Sequence, residues 1–133
     1  MDTAADDFKM ISALLGGVLG WFLGERNPLF YALISFAVLD YISGVMLAVC
    51  QKKISSKIGY RGIVKKAMIF ILVGLGNVID NYIIGSGSSI RTMLIMFYLS
   101  NEGISIIENA ANIGLPLPKK LKDVLMQIDK IEK

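Results

Sequence analysis

Histidine is absent from this chain of 133 residues, and cysteine occurs once, at Cys50. The first absence excludes Ser-His and Cys-His nucleophiles, histidine-ligated zinc and a histidine pH switch. The second excludes an intramolecular disulfide and any multi-cysteine metal cluster. Charge is scarce as well: 19% of residues are Asp, Glu, Lys or Arg, against 54% apolar. A compact soluble domain of this length exposes much of its surface and needs polar side chains to cover it, and this chain is short of them. Composition thus argues against a disordered tail, an ordinary soluble domain and an enzyme, and no cofactor or metal is expected.

Apolar length takes the place of what is missing. A membrane-crossing helix needs ~20 mostly apolar residues. The run Leu29 to Cys50 carries Asp40 as its only charge and is the clearest span. Before it, Met10 to Gly24 is uncharged, and Phe8 with a snorkelling Lys9 extends it, giving a span over 8–24 that either crosses or lies along the surface. Asn27-Pro28 marks the break between them, since Asn-Pro favours a turn and Pro opens a helix well. A third span is expected over 65–84, with Lys65 and Lys66 in its first turn. A fourth, more polar one covers 92–113, and Pro116-Leu117-Pro118 stops it. Residues 119–133 place Leu121, Val124, Leu125, Ile128 and Ile131 at helical spacing, an amphipathic helix with a basic start. The expected fold is all-α, a single membrane domain of three to four transmembrane helices plus this C-terminal helix.

Positive charge orients the chain. The hairpin between the second and third spans holds Lys52, Lys53, Lys57, Arg61, Lys65 and Lys66 and no acid, so it faces the cytoplasm and meets lipid headgroups. Four spans with both termini inside then place twelve of the fourteen basic residues on the cytoplasmic face. The N-terminus, with Asp2, Asp6 and Asp7, lacks the positive start of a cleavable signal. Met10 offers a second possible translation start. A nucleic-acid partner is not expected, because topology and headgroups account for the hairpin's charge.

Chemistry inside the spans is acidic. Asp40, Asp80, Glu102 and Glu108 fall in apolar segments, and no lysine or arginine is expected at their depth. Such residues face a bundle interior or water. On the third span Asn77, Asp80 and Asn81 share a side. On the fourth, Asn101, Glu102, Ser105, Glu108, Asn109 and Asn112 fall within an arc of about 120°, opposite Leu99, Gly103, Ile106, Ile107, Ala110 and Ala111. This stripe is either interhelical glue in a closed bundle or the wall of an aqueous path formed by several copies. Gly16, Gly20 and Gly24 repeat a GxxxG spacing that suits close helix packing.

Three strings carry a family likeness: LDYISGVMLA at 39–48, SSKIGYRGIVKK at 55–66 and NEGISIIENAANIGLPLPKKL at 101–121. Together they resemble the toxin-secretion/phage-lysis holin family over roughly residues 33–121. The resemblance implies a small bacterial inner-membrane protein without catalytic residues. Such proteins accumulate and then oligomerise into lesions through which a cell-wall hydrolase (an endolysin) or a toxin leaves. Asp40, Gly44, Asn101, Glu102, Glu108 and Asn109 match the family's strings. The expected partners are other copies of the chain, membrane lipids and the exported cargo. A small ion or multidrug transporter, or a narrow cation channel, is the alternative.

Overall fold

The computed structural model describes residues 2–132; the side chains of Leu125 and of residues 128–132 lie outside the described residues, and with them the apolar positions expected at Leu125, Ile128 and Ile131. Every described element is helical: α1 (Thr3–Leu23), α2 (Pro28–Cys50), α3 (Ser56–Val78), a π-helical continuation of α3 (Ile79–Ile84), α4 (Ser89–Ile113) and α5 (Lys119–Glu132).

Local chemistry sets the boundaries. Asn27 accepts a hydrogen bond from the Phe30 N–H at 2.9 Å, with Pro28 in the first turn, and this cap starts α2 where the break was expected. Ser55 caps α3 by accepting from the Ile58 N–H at 3.2 Å. Helix α3 therefore begins three turns before Lys66, not at Lys65. The polar stretch of the hairpin had hidden an N-cap, and basic residues expected at a helix end are carried into its length. Gly85 and Gly114, at φ of +90° and +118°, end the π segment and α4 in the left-handed conformation that side chains with a Cβ avoid.

Among the described residues, two helices are long and apolar enough to cross a membrane, Pro28–Cys50 and the continuous Ser56–Ile84. Helix α1 has 21 residues and α4 has 25, but Asp6, Asp7 and Lys9 in the one and the polar second half of the other lower their apolar character.

Helix α4 is the centre of the bundle. It packs along α2 and against α3, and α5 returns against it, whereas α2 and α3 touch only sparingly. The core lies towards the end of the molecule where Asn27 and Gly85 sit: Phe30, Leu33, Ile69, Val73, Ile95 and Leu99 pack together with Phe36, Phe70 and Met96 around them. Close approach there depends on glycine. A Cβ on Gly74 would lie 2.0 Å from the Phe22 ring, and one on Gly76 would lie 3.1 Å from the Arg91 Cα. Towards the hairpin end the same helices splay apart.

Candidate functional site

The splayed half contains a groove of about 870 Å³ between α2, α3 and the second half of α4. Its walls are apolar, with Val45 and Ala48 from α2, Ile54 from the hairpin and Ile58 and Ile63 from α3. Its floor is polar: Asp40, Lys66, Ser105 and Asn109.

At that floor three helices exchange charge. The Lys66 Nζ donates to Asp40 Oδ2 at 2.6 Å and to Glu102 Oε2 at 2.8 Å. Asn109 Nδ2 donates to Asp40 Oδ1 at 3.2 Å and to Ser43 Oγ at 2.9 Å, and the Ser43 hydroxyl donates to the Asp40 carbonyl. Asp40 is the thirteenth residue of 23 in α2 and Glu102 the fourteenth of 25 in α4, so the cluster sits at mid-length. The expectation that no cation reaches the carboxylates is corrected: Lys66 does, because α3 starts earlier than the charge pattern suggested. One ammonium faces two carboxylates. Their mutual attraction in a low-dielectric setting offsets desolvation only while all three stay together.

The stripe on α4 is divided between two environments. Leu99, Gly103 and Ile107, the apolar back, are buried and face the bundle. Glu102 is buried at one edge of the stripe, and Ser105 and Asn109 are half-buried beside it. Asn101, Glu108 and Asn112, the other edge, are exposed. The stripe is therefore not hidden inside the protomer as closed-bundle glue; only its Glu102 edge is.

A second polar knot closes the opposite end. Ser88 makes no side-chain cap for α4. Asp80 reaches across from the π segment instead, accepting from the Ile90 N–H at 3.0 Å and the Arg91 N–H at 2.9 Å. This carboxylate satisfies orphan donors of a neighbouring helix. The Arg91 side chain, 2% exposed, donates to the carbonyls of Leu23, at 2.7 Å, and Glu25. Its guanidinium lies 5.3 Å from the Phe30 ring centre. Asn77 donates to the Trp21 and Phe22 carbonyls, Asn81 donates to Asn77, and the Trp21 indole donates to the Tyr82 hydroxyl. Asn77 thus joins α1 to α3, Asp80 joins α4 to the π-helical continuation, and Asn81 braces Asn77. Sequence reasoning missed Arg91 as a site residue. Its signal was the placement of Asp80 and Arg91 on either side of one Gly-Ser turn.

The glycine candidates separate too. Gly24, at φ +86°, ends α1 against Asn77 and Arg91. Gly16 and Gly20 face open space, and Gly44 lies on the groove. Of the hairpin bases, Lys52, Lys53, Lys57 and Lys65 are exposed and Arg61 lies on the outer turn of α3 beside them.

Residues 17–130 match the bacteriophage holin family. An uncharacterized protein of Listeria innocua is 41% identical over 114 residues, covering 86% of this chain and 81% of that protein. An uncharacterized protein of Listeria monocytogenes is 40% identical over the same shares. An uncharacterized 14.9 kDa protein in the nagH 3' region of Clostridium perfringens is 37% identical over 115 residues, 86% of this chain and 87% of its own. No solved structure matches.

Proposed function

This chain belongs to the bacteriophage holin family, and from that premise we propose that it accumulates in a bacterial cytoplasmic membrane and self-assembles into a lesion that releases a cell-wall hydrolase or toxin. Four helices, α1 to α4, cross the bilayer with both termini and the basic hairpin on the cytoplasmic side. The exposed edge of α4 lines the lumen.

One observation carries this reading. Asn101 is exposed at the depth of the Asp40–Lys66–Glu102 cluster, and Glu108 and Asn112 continue the same edge. Polar side chains held at that depth against lipid are costly, ~2.5 to 3.5 kcal/mol for a central aspartate. Further copies that enclose water beside this edge remove the cost. Replacing Asn101, Glu108 and Asn112 by Leu should leave insertion intact, by membrane fractionation, and delay or abolish lysis of expressing cells. Lysis on the unmodified schedule would sink the reading.

The polar floor of the groove favours one alternative, a small ion or multidrug transporter that uses the charged cluster as its site. Release of an intact folded enzyme from expressing cells separates the two, since a transporter passes no protein.

A further inference from the structure

The floor of the groove holds more negative charge than it balances. The Lys66 Nζ donates to Asp40 Oδ2 at 2.6 Å and to Glu102 Oε2 at 2.8 Å, so one ammonium serves two carboxyl groups. The charged groups on the surrounding helices do not make up the difference. On α3, Lys65 and Tyr60 are exposed, and on α4, Glu108 is exposed at the other edge of the stripe. Asp80 and Arg91 meet at the far end of α4. Lys119, Lys120 and Lys122 of α5 are exposed, and Tyr41 of α2 turns its hydroxyl to Gly59. A net negative charge at mid-length of three helices is costly in an apolar setting.

Hydrogen bonding points to what removes that charge. The Asp40 and Glu102 carboxyls lie within hydrogen-bonding reach of each other. Two carboxylates cannot make such a bond, because both only accept, whereas a carboxyl that keeps its proton can donate it. The remaining partners say which of the two donates. Asp40 has a donor on each oxygen, Lys66 on Oδ2 and the Asn109 amide on Oδ1 at 3.2 Å. Glu102 has Lys66 on Oε2, and among the described residues no amide, hydroxyl or ammonium donates to its Oε1. Glu102 is buried, while Asp40 and Lys66 line the groove with side chains 13% and 19% exposed. Water in the groove therefore reaches the cluster through them.

We propose that Asp40, Lys66 and Glu102 form a proton-binding site, in which Glu102 holds a proton that it donates to Asp40 and that exchanges with water in the groove. With the proton bound, the ring of three side chains carries one positive and one negative charge and ties α2, α3 and α4 together at the floor. When the proton leaves to water, two carboxylates share one ammonium, repel each other, and the tie between α2 and α4 weakens. The site belongs to a single chain, so it stands or falls independently of the lesion reading.

Infrared spectroscopy of the full-length chain in lipid vesicles tests it, with the proton itself as the probe. At neutral pH the carbonyl stretch of one protonated carboxyl per chain should be present and should shift on exchange into D2O. Glu102→Gln and Asp40→Asn should each abolish it, because the carboxylate left behind then pairs one-to-one with Lys66, while Glu108→Gln should keep it. The amide band of the same spectra reports whether each variant is still helical. No protonated carboxyl in the unmodified chain overturns the proposal, and so does a signal that survives both variants or never exchanges. Loss in Glu102→Gln alone overturns it as well, since burial rather than the shared ammonium then holds the proton. Denaturant unfolding in detergent gives a second reading. The folded chain binds one proton more than the unfolded chain, whose glutamate ionises near its ordinary ~4.3, so stability should fall as pH rises from about 5 until the site empties. The unfolding constant should climb by up to about tenfold per pH unit over that range, and Glu102→Gln should flatten the climb. A flat profile in the unmodified chain, or an equal slope in the variant, sinks the site.

Discussion

At the end of the bundle where the core is packed, Asp80 and Arg91 bind backbone: two N–H groups of α4, the last carbonyl of α1 and one just past it. At the floor of the groove, Lys66 binds two other side chains, Asp40 and Glu102. The first arrangement holds chain segments whose polar groups have no alternative partner in an apolar setting. The second joins three helices through groups that can exchange partners, beside a groove that leaves room for movement. The packed half is a frame, and the open half is where contacts have room to change.

Substitutions can break that comparison. The largest effect is expected from Arg91→Met, which strips the Leu23 and Glu25 carbonyls and leaves Asp80 without its cation nearby. A loss of about 3–5 kcal/mol, measured by denaturant unfolding in detergent, follows the cost of breaking a buried charged network. Arg91→Lys should not restore it, since an ammonium cannot span two carbonyls as a guanidinium fork does. Lys66→Met comes next, at about 3 kcal/mol, because it leaves two carboxylates facing each other. Adding Asp40→Asn and Glu102→Gln should recover most of that loss. A triple variant no better than Lys66→Met would show that the cluster is as irreplaceable as the Arg91 knot and erase the distinction.

The glycines sharpen the comparison at a smaller scale. Gly74→Ala puts a methyl into the Phe22 ring and should cost about 1–3 kcal/mol, with Phe22→Ala relieving part of it. Gly44→Ala, whose new Cβ meets only Asn109 at 3.8 Å, should stay within about 0.5 kcal/mol. Thermal unfolding of both variants in one detergent checks the order.

Much of the helical layout can be read from local chemistry. Asn27-Pro28 and the glycine at the end of α4 are short-range signals, and the structure uses them. The partner of Asp40 was not legible for a related reason: basic residues were taken to mark a helix end, and the N-cap at Ser55 lies inside the same polar stretch. Periodicity groups Asn101 to Asn112 on one arc of α4. It could not say which way the arc points, because rotation about the helix axis is decided by packing of Leu99, Gly103 and Ile107 against neighbours distant in sequence. The role of Arg91 depends on Leu23 and Glu25, more than sixty residues away, a separation at which no spacing rule operates.

The continuous helix Ser56–Ile84 has 29 residues, a length of about 43 Å against a hydrocarbon layer of ~30 Å. Its far end, Tyr82 to Ile84, is apolar, so in the proposed topology the excess emerges at the basic end, and the mouth of the groove sits among headgroups while its floor stays at mid-depth. Within that topology, water entering the groove from the headgroups would thin the insulating layer beside Lys66 and concentrate the transmembrane field there, with ~2.3 kcal/mol per charge available for each 100 mV.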